Sequence, residues 1–197
     1  MAIIYDAVLN PTKEHLLNDW VRRQPWFAST GADQIKHMGA YRFDDPDGEV
    51  GMETHILKDV LGNLYQVPLT YRPERVEELQ HALITEMEHS ILGRRWIYDA
   101  SHDPVYLRSL ARVLRGEQIQ ADEFMEKEEP GAEIEKTFIV EVEKSPGGNK
   151  LSGDDLGFLA NCIDHTPNPT PGGVPGLIGH FPNSSQRYVL VRTSNPR

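Results

Sequence analysis

The chain has 197 residues, and 30 acidic against 20 basic residues give it a formal net charge of -10. This length suits one domain, or one compact domain with a small appended one, and it is sufficient to bury a core. The acidic balance disfavours long-range attraction to nucleic acid and to anionic membranes, so we expect neither as a partner. The single cysteine, Cys162, excludes an intramolecular disulfide framework and a zinc site built from cysteines.

The first residues carry neither the basic segment nor the sustained apolar segment of a secretion signal. No apolar run in the sequence is long enough to span a bilayer. We therefore expect a cytoplasmic protein.

The first predicted helix follows a short apolar strand. We predict that Asn10 caps this helix and that Pro11 occupies its first position, where the missing N–H costs nothing. Pro25 should stop the helix, because the residue before a proline is pushed out of the α region. We interpret Trp26 and Phe27, which follow, as core residues rather than as a ligand-binding pair.

Apolar residues then alternate with a period of two, which is typical of strands. The pattern predicts a strand at residues 36–43, a turn at 44–48 rich in Asp, Pro and Gly, and a second strand near 50–56. The third strand, at 65–71, alternates apolar and polar residues, which indicates a sheet buried on one face only. Because Pro68 cannot donate to a ladder, we expect this strand to lie at an edge or to contain a bulge.

Two further strands, at residues 82–90 and 94–99, precede a second helix. Asp103 followed by Pro104 predicts the start of that helix, and Gly116 predicts its end. Short connections place strands that are neighbours in sequence next to each other in space. The predicted fold class is therefore α+β, with a consecutive antiparallel meander sheet packed against helices.

The composition changes in the last third of the chain. Alternating apolar residues predict strands near 138–142 and 187–192, which could pair with each other or extend the main sheet. Four prolines and two adjacent glycines at residues 166–175 exclude regular structure there. This irregular Pro/Gly-rich part thus adds one or two strands.

These patterns divide the chain into three parts. Residues 1–116 form the α+β domain. Residues 117–135 are acidic and weakly apolar, which predicts a solvated linker or a frayed helix. Residues 136–197 form a C-terminal strand pair with loops, which we expect to pack on the same sheet.

Polar side chains on two of the predicted strands form the first candidate site. Glu53 and His55 share one face of their strand, as Glu86 and Glu88 do on theirs. If those strands were adjacent, the carboxylates and the imidazole could bind a divalent metal or act as acid and base. The alternative is a charged strand face turned to water, since the spacing matches no known ligand signature. We expect no catalytic residue, no bound metal and no cofactor.

The second candidate site is the turn Gly93-Arg94-Arg95-Trp96. Arginines beside an aromatic ring can clamp an anion or stack on a planar ring. The alternative is an exposed hairpin tip whose arginines are solvated and paired with nearby glutamates.

Several short motifs resemble the N-terminal cap region of maltokinases. They are Tyr5-Asp-Ala7, Tyr65-Gln-Val-Pro-Leu69, His81-Ala-Leu-Ile84, and Tyr98-Asp-Ala100 followed by Asp103-Pro104. Maltokinases are ATP-dependent kinases that make maltose 1-phosphate in the trehalose-to-α-glucan pathway. The resemblance covers roughly residues 1–115, and it implies a cystatin-like fold in which an antiparallel sheet wraps on a helix.

The matching motifs contain none of the catalytic parts of a kinase, which needs a bilobal domain with a catalytic-loop Asp and a metal-binding Asp. Residues 117–197 are too few for such a domain and offer no Asp in a suitable context. The resemblance therefore implies a non-catalytic regulatory or protein-interaction module, with another protein, such as an α-glucan or trehalose-pathway enzyme, as partner. The alternative is a small-molecule binder or metal-dependent enzyme that uses the concave face of the sheet.

Overall fold

The computed structural model describes residues 2–27, 35–126, 133–143, 159–165 and 176–191. Over these residues the protein is α+β with mostly strands and few helices. The strands are β1 (Ala2–Ile4), β2 (Leu9–Asn10), β3 (Lys36–Phe43), β4 (Gly51–Lys58), β5 (Leu64–Arg72), β6 (Leu83–His89), β7 (Gly93–Asp99), β8 (Glu123–Met125), β9 (Ile139–Glu143), β10 (Leu159–His165), β11 (Gly176–His180) and β12 (Tyr188–Val191). The helices are α1 (Lys13–Val21), α2 (Pro104–Leu114) and short 3-10 helices at Glu77–Ala82 and Ala100–His102. No helix among the described residues is long and apolar enough to cross a membrane.

Six antiparallel strands lie in the order β3-β4-β5-β7-β6-β2. The prediction of a consecutive meander is wrong at one point, because β5 pairs with β7 and not with β6. The connection from β5 to β6 includes the 3-10 helix Glu77–Ala82 and is long enough to pass over a strand position. The short turn between β6 and β7 then reverses the chain, so that β7 lies between β6 and β5 and pairs with both.

Strand β5 lies inside the sheet and pairs with β4 and β7 without a register shift, so both alternatives predicted for it, an edge strand and a bulge, are wrong. On one side it pairs with β4, where Thr54 lies opposite Pro68. On its other side β7 pairs with Leu69–Arg72, and β10 pairs at Tyr65. Pro68 lies in the gap between these two partners, a position at which a missing N–H is tolerated.

Both faces of the sheet are covered. Leu16, Leu17 and Val21 of α1 pack on one face together with side chains of β5. Helix α2 packs on the other face, against side chains of β3 and β4. The prediction of a sheet buried on one face only is therefore wrong for β4 and β5, in which residues 52–57 and 64–70 are buried. The second face is buried by α1. Because α1 lies far from β5 in the sequence, the local pattern of β5 does not reveal this contact.

Trp26 and Phe27 pack on the α1 face, as predicted. Their rings lie 5.7 and 5.3 Å from the ring of Tyr65, centroid to centroid, and both contact the buried cluster there. Buried aromatic pairs of this kind contribute beyond the area that they bury.

The two helix starts differ in how well local chemistry predicted them. Thr12, and not Asn10, caps α1, because its Oγ1 accepts a hydrogen bond from His15 N at 3.2 Å. The prediction of Asn10 as the cap is thus wrong by two residues. Asp103 caps α2 as predicted, with its Oδ1 accepting from Val105 N at 2.9 Å. Gly116, at φ 74°, follows the end of α2, also as predicted.

The C-terminal strands lie in the order β10-β12-β11-β9 and join the main sheet where Cys162 pairs with Tyr65. The two predicted strands are present as β9 and β12, but β11 lies between them and pairs with both. Within its described residues, this part therefore adds four strands rather than one or two. The short glycine-containing sequence of β11 carries a weak strand signal, which explains the miss. Residues 166–175 lie outside the described part of the chain.

The C-terminal strands share the core of the main sheet. Phe138, Leu177 and Leu190 belong to the buried cluster that also contains side chains of β3, β4 and α2. The ring of Phe138 lies 6.2 Å from the ring of Tyr41 on β3, centroid to centroid.

Residues 117–126 form structure where the sequence predicted a solvated linker or a frayed helix. Strand β8 pairs in parallel with β1, and Gln120 and Ala121 are buried. The Gln120 amide donates to Phe138 O at 2.8 Å and accepts from Val140 N at 3.0 Å. These bonds tie the acidic segment to the start of the C-terminal strands.

Candidate functional site: a cleft beside a buried charge cluster

A cleft of about 640 Å³ lies between the N-terminal segment and the sheet face that carries α1. Its walls combine apolar side chains with basic, acidic and other polar residues. These are Lys13, Arg42 and Arg95; Asp44, Asp45, Glu49 and Glu53; and Tyr5, Tyr71 and His89. Binding sites for small molecules commonly have such walls and a volume of roughly 300–1,000 Å³.

Glu53 is the centre of a buried charge cluster at the wall of this cleft. It lies opposite Arg42 in the ladder between β3 and β4, and it is 6% exposed. Arg42 Nη2 is 2.9 Å from Glu53 Oε1, and Lys13 Nζ, from the first turn of α1, is 2.6 Å from Glu53 Oε2. Arg42 Nε also approaches Glu123 Oε2 of β8 at 3.3 Å, without the geometry of a hydrogen bond. Two acidic and two basic groups thus balance each other.

These cations keep the Glu53 carboxyl ionised. Burial opposes the charge, but Arg42 and Lys13, together with His55 once it is protonated at low pH, hold the pKa of Glu53 well below its usual range. Conversely, burial raises the pKa of Glu123, and Glu53 raises it further. The cluster therefore favours one strongly ionised carboxylate at the cleft wall.

His55 lies behind the cleft wall. It is 1% exposed, and its Nδ1 and Nε2 are hydrogen-bonded to His37 Nε2 at 3.1 Å and to the Tyr71 hydroxyl at 3.2 Å. Burial lowers the pKa of His55 to about 3, so the ring is neutral at neutral pH. Burial likewise raises the pKa of Tyr71 well above its usual value. His55 can therefore orient Tyr71, which lines the cleft, but it does not line the cleft itself.

The structure does not bring the four residues of the first candidate site together. Strands β5 and β7 separate β4, which carries Glu53 and His55, from β6. Glu86 and Glu88 are exposed on β6. The metal hypothesis required adjacent strands, and it is wrong on that point. Among the residues that the structure describes, no cluster of three or more His, Cys, Asp or Glu is placed to hold a metal ion.

The two arginines of the second candidate site point to different surroundings. Arg94 forms ion pairs with Glu88 at 2.9 Å and with Glu86 at 3.3 Å, as the hairpin interpretation predicted. Arg95 instead lines the cleft. Trp96 packs against the small buried cluster around the 3-10 helix Glu77–Ala82.

Sequence reasoning missed Lys13, Arg42, Tyr71 and Glu123 as members of the cluster. The only available signal was the charge of Arg42 on a strand that is otherwise rich in apolar residues. Their convergence depends on the placement of α1 and β8, which no local pattern predicts.

A second buried charge pair fixes α2 to the sheet. The Arg72 guanidinium donates two hydrogen bonds to the Asp103 carboxylate, at 2.8 and 2.7 Å, and Thr70 Oγ1 donates a third at 2.8 Å. Because Asp103 also caps α2, one side chain joins the helix start to β5. This bidentate geometry is the strong form of the interaction.

The residues that form most of the main sheet match a known protein family. Residues 20–103 match the family model of the maltokinase N-terminal cap domain. No curated protein matches the chain. The matched range begins near the end of α1, contains β3 to β7 and ends at Asp103, the cap of α2. Residues 20–103 are therefore similar to the maltokinase N-terminal cap domain, which confirms the resemblance found in the sequence.

Proposed function

We propose that this protein is a non-catalytic module of the maltokinase-cap type that binds another protein. Its partner is an enzyme of trehalose, maltose 1-phosphate or α-glucan metabolism. The observation that carries this proposal is the match of residues 20–103 to the maltokinase N-terminal cap domain.

The use of charged residues inside the matched range supports a scaffold role. Asp103 is fully buried, and its oxygens accept hydrogen bonds from Arg72, Thr70 and the backbone of Val105. Glu53 is held in the same way by Arg42 and Lys13. These carboxylates hold elements of the fold together.

We assign the contact with the partner to an apolar tip formed by Val8, Ile91 and Leu92. These side chains are 76%, 43% and 39% exposed. Ser90 connects the two segments, because its N–H donates to Val8 O and its hydroxyl accepts from Val8 N, both at 3.0 Å. Grouped apolar side chains on a surface commonly mark protein contacts.

The proposal also includes the type of fold, the domain boundaries and the location of the protein in the cell. The main sheet with α1 on one face is the cystatin-like unit, residues 1–116 form the cap-like domain, and residues 136–197 extend it. The protein acts in the cytoplasm, where enzymes of sugar metabolism are available to it.

Affinity capture from an extract of the source cells tests the proposal. The tagged full chain is compared with a tip variant, Ile91→Glu with Leu92→Glu, and with a control variant, Val60→Glu with Leu61→Glu. The control changes another adjacent apolar pair, on the turn between β4 and β5, that is even more exposed. We expect the wild type and the control to retain an enzyme that acts on trehalose, maltose or an α-glucan, and the tip variant to lose it. Recovery of no such enzyme contradicts the proposal, and recovery by all three chains contradicts the assignment of the tip.

A further inference from the structure

Arg95 is a partly buried cation that the fold leaves without a counter-charge. It lines the cleft, and its Nη1 donates to the carbonyl oxygen of Arg94 at 2.9 Å. Among the described residues, its guanidinium has no ion-pair partner, whereas Arg94, the next residue, is paired with Glu86 and Glu88. Within the described part of the chain, its remaining guanidinium donors have no hydrogen-bond acceptor.

The other two basic residues that line the cleft, Lys13 and Arg42, are already engaged. They are neutralised by Glu53, and Arg42 also by Glu123. The cleft is further lined by Asp44, Asp45 and Glu49 of the β3–β4 turn, and the Asp45 carboxylate accepts hydrogen bonds from three backbone N–H groups of that turn. Arg95 is thus the uncompensated cation of the described cleft wall.

A second titratable side chain lies beside Arg95. His89, which also lines the cleft, lies two residues from Met87, the residue opposite Arg95 in the β6–β7 ladder. Burial lowers the pKa of His89, and the charges of Arg95 and Lys13 lower it further. The neutral His89 ring therefore does not compete with a ligand oxyanion for the Arg95 guanidinium.

The cleft is large enough to hold an organic molecule that carries an anionic group, and not only a small inorganic anion. Its volume is about 640 Å³, and the rings of Tyr5 and Tyr71 and the carboxylate of Glu53 line it. Aromatic faces and a fixed hydrogen-bond acceptor suit a compact body with hydroxyl groups.

We propose that this cleft binds a small organic anion, a phosphate or carboxylate on a hydroxylated body, and that the Arg95 guanidinium receives its charge. Arginine suits this role, because its planar donors match the oxygens of both groups in pairs. The cleft shares Leu92 with the apolar tip. The anion is assigned to Arg95 and the protein contact to the tip, so each proposal is tested by its own variant and can fail without the other.

Isothermal titration of the purified full chain tests the site with three probes of similar size: glycerol 3-phosphate, glycerate and glycerol. We expect at least one of the two anions to bind and neutral glycerol to bind at least tenfold more weakly. The anion that binds identifies the group recognised. Binding of neither anion, or equal binding of glycerol, overturns the proposal.

Two variants on one strand provide the matched comparison. Arg95→Ala should weaken anion binding roughly 10- to 100-fold, the range expected for a lost charge-assisted hydrogen bond. Arg94→Ala removes the same charge from the other side of the strand and should change binding by less than about twofold. Equal losses in both variants would mean a general charge effect and would overturn the assignment of Arg95.

A measurement on the wild-type chain covers the case in which Arg95→Ala does not fold. An arginine-selective dicarbonyl reagent is applied with and without the binding anion, and the modified sites are read by mass spectrometry. We expect the anion to protect Arg95 at least fivefold and to leave Arg94 unchanged. Unchanged modification of Arg95 overturns the proposal.

Discussion

Arg42 and Glu53 lie opposite each other on β3 and β4 and form an ion pair of 2.9 Å. Lys13 of α1 forms a second ion pair with the same Glu53 carboxylate. Three elements that are distant in sequence thus meet at one buried carboxylate. The arrangement connects the helix cover to the sheet and sets one wall of the cleft.

Replacing Glu53 by Gln should destabilise the fold strongly. The change leaves Arg42, with a side chain 15% exposed, without its main counter-charge. Removal of one partner from a buried pair costs about 3–5 kcal/mol, and we expect a loss of about 3 kcal/mol in the free energy of unfolding. Urea denaturation measures it. The matched control is Glu88→Gln, which breaks an exposed pair with Arg94 and should cost under about 1 kcal/mol. Equal effects of the two changes would contradict the structural role of Glu53.

Replacing Asp103 by Ala should loosen α2 from the sheet. The variant loses the helix cap and leaves Arg72 without its bidentate partner. We expect a loss of about 2–4 kcal/mol, since a lost cap costs about 1 kcal/mol and an unpaired partly buried charge costs more. Thermal unfolding followed by circular dichroism tests this. An unfolding temperature within about one degree of the wild type would show that the Asp103 contacts do not support the fold.

Stability should fall as the pH is lowered from 6 to 5. The folded-state pKa of His55 is about 3, below the unfolded value of about 6.5, so the unfolded chain binds more protons in this window. The contribution of His55 is about 1 kcal/mol for this one pH unit. The lowered pKa values of His37 and His89 act in the same direction.

The variant His55→Gln isolates this contribution. Urea denaturation at pH 6 and pH 5 should show a smaller decrease in the variant than in the wild type, by about 1 kcal/mol. Glu53 stays ionised in both chains over this window, because Arg42 and Lys13 remain beside it, and the other carboxyl groups cancel in the comparison. If the two chains lose the same stability, His55 is not the buried neutral group described here.

Replacing Gly179 by Ala should destabilise the whole protein and not only its C-terminal strands. An added Cβ would overlap the ring of Phe138, which packs in the same cluster as α2. Overpacking of this kind costs about 1–3 kcal/mol. The control is Gly51→Ala, whose Cβ meets its nearest neighbour, Tyr71 Cβ, at 3.4 Å. One cooperative transition at lower denaturant is expected for Gly179→Ala. A separate transition that leaves the main sheet intact would contradict a shared core.

Local chemistry predicted much of the fold. The strand at Lys36–Phe43 follows from its alternation, and the start of α2 follows from Asp103 and Pro104, whose effects act within one turn. The order of β5, β7 and β6 could not be predicted in this way. It depends on which of the two later strands, β6 or β7, pairs with β5, and local sequence does not decide that. The resemblance in short motifs identified the family, although no motif carries a catalytic residue. The family model matches residues 20–103, a shorter range than the predicted 1–115.

The candidate site was harder to predict than the fold. Alternation along β4 showed that Glu53 and His55 share a face, but not that α1 covers that face. The two adjacent residues Arg94 and Arg95 look equivalent in the sequence. Strand geometry points them to opposite sides, so one meets Glu86 and Glu88 and the other meets the cleft.

The central proposal is that this chain is a non-catalytic module of the maltokinase-cap type, and a direct measurement of phosphoryl transfer tests it most sharply. The purified full chain is incubated with ATP, Mg²⁺ and maltose and followed by phosphorus NMR, with an active maltokinase as the positive control. We expect the ATP resonances to stay at the level of the protein-free sample, with no maltose 1-phosphate signal. Growth of that signal in proportion to the amount of chain added would contradict the account.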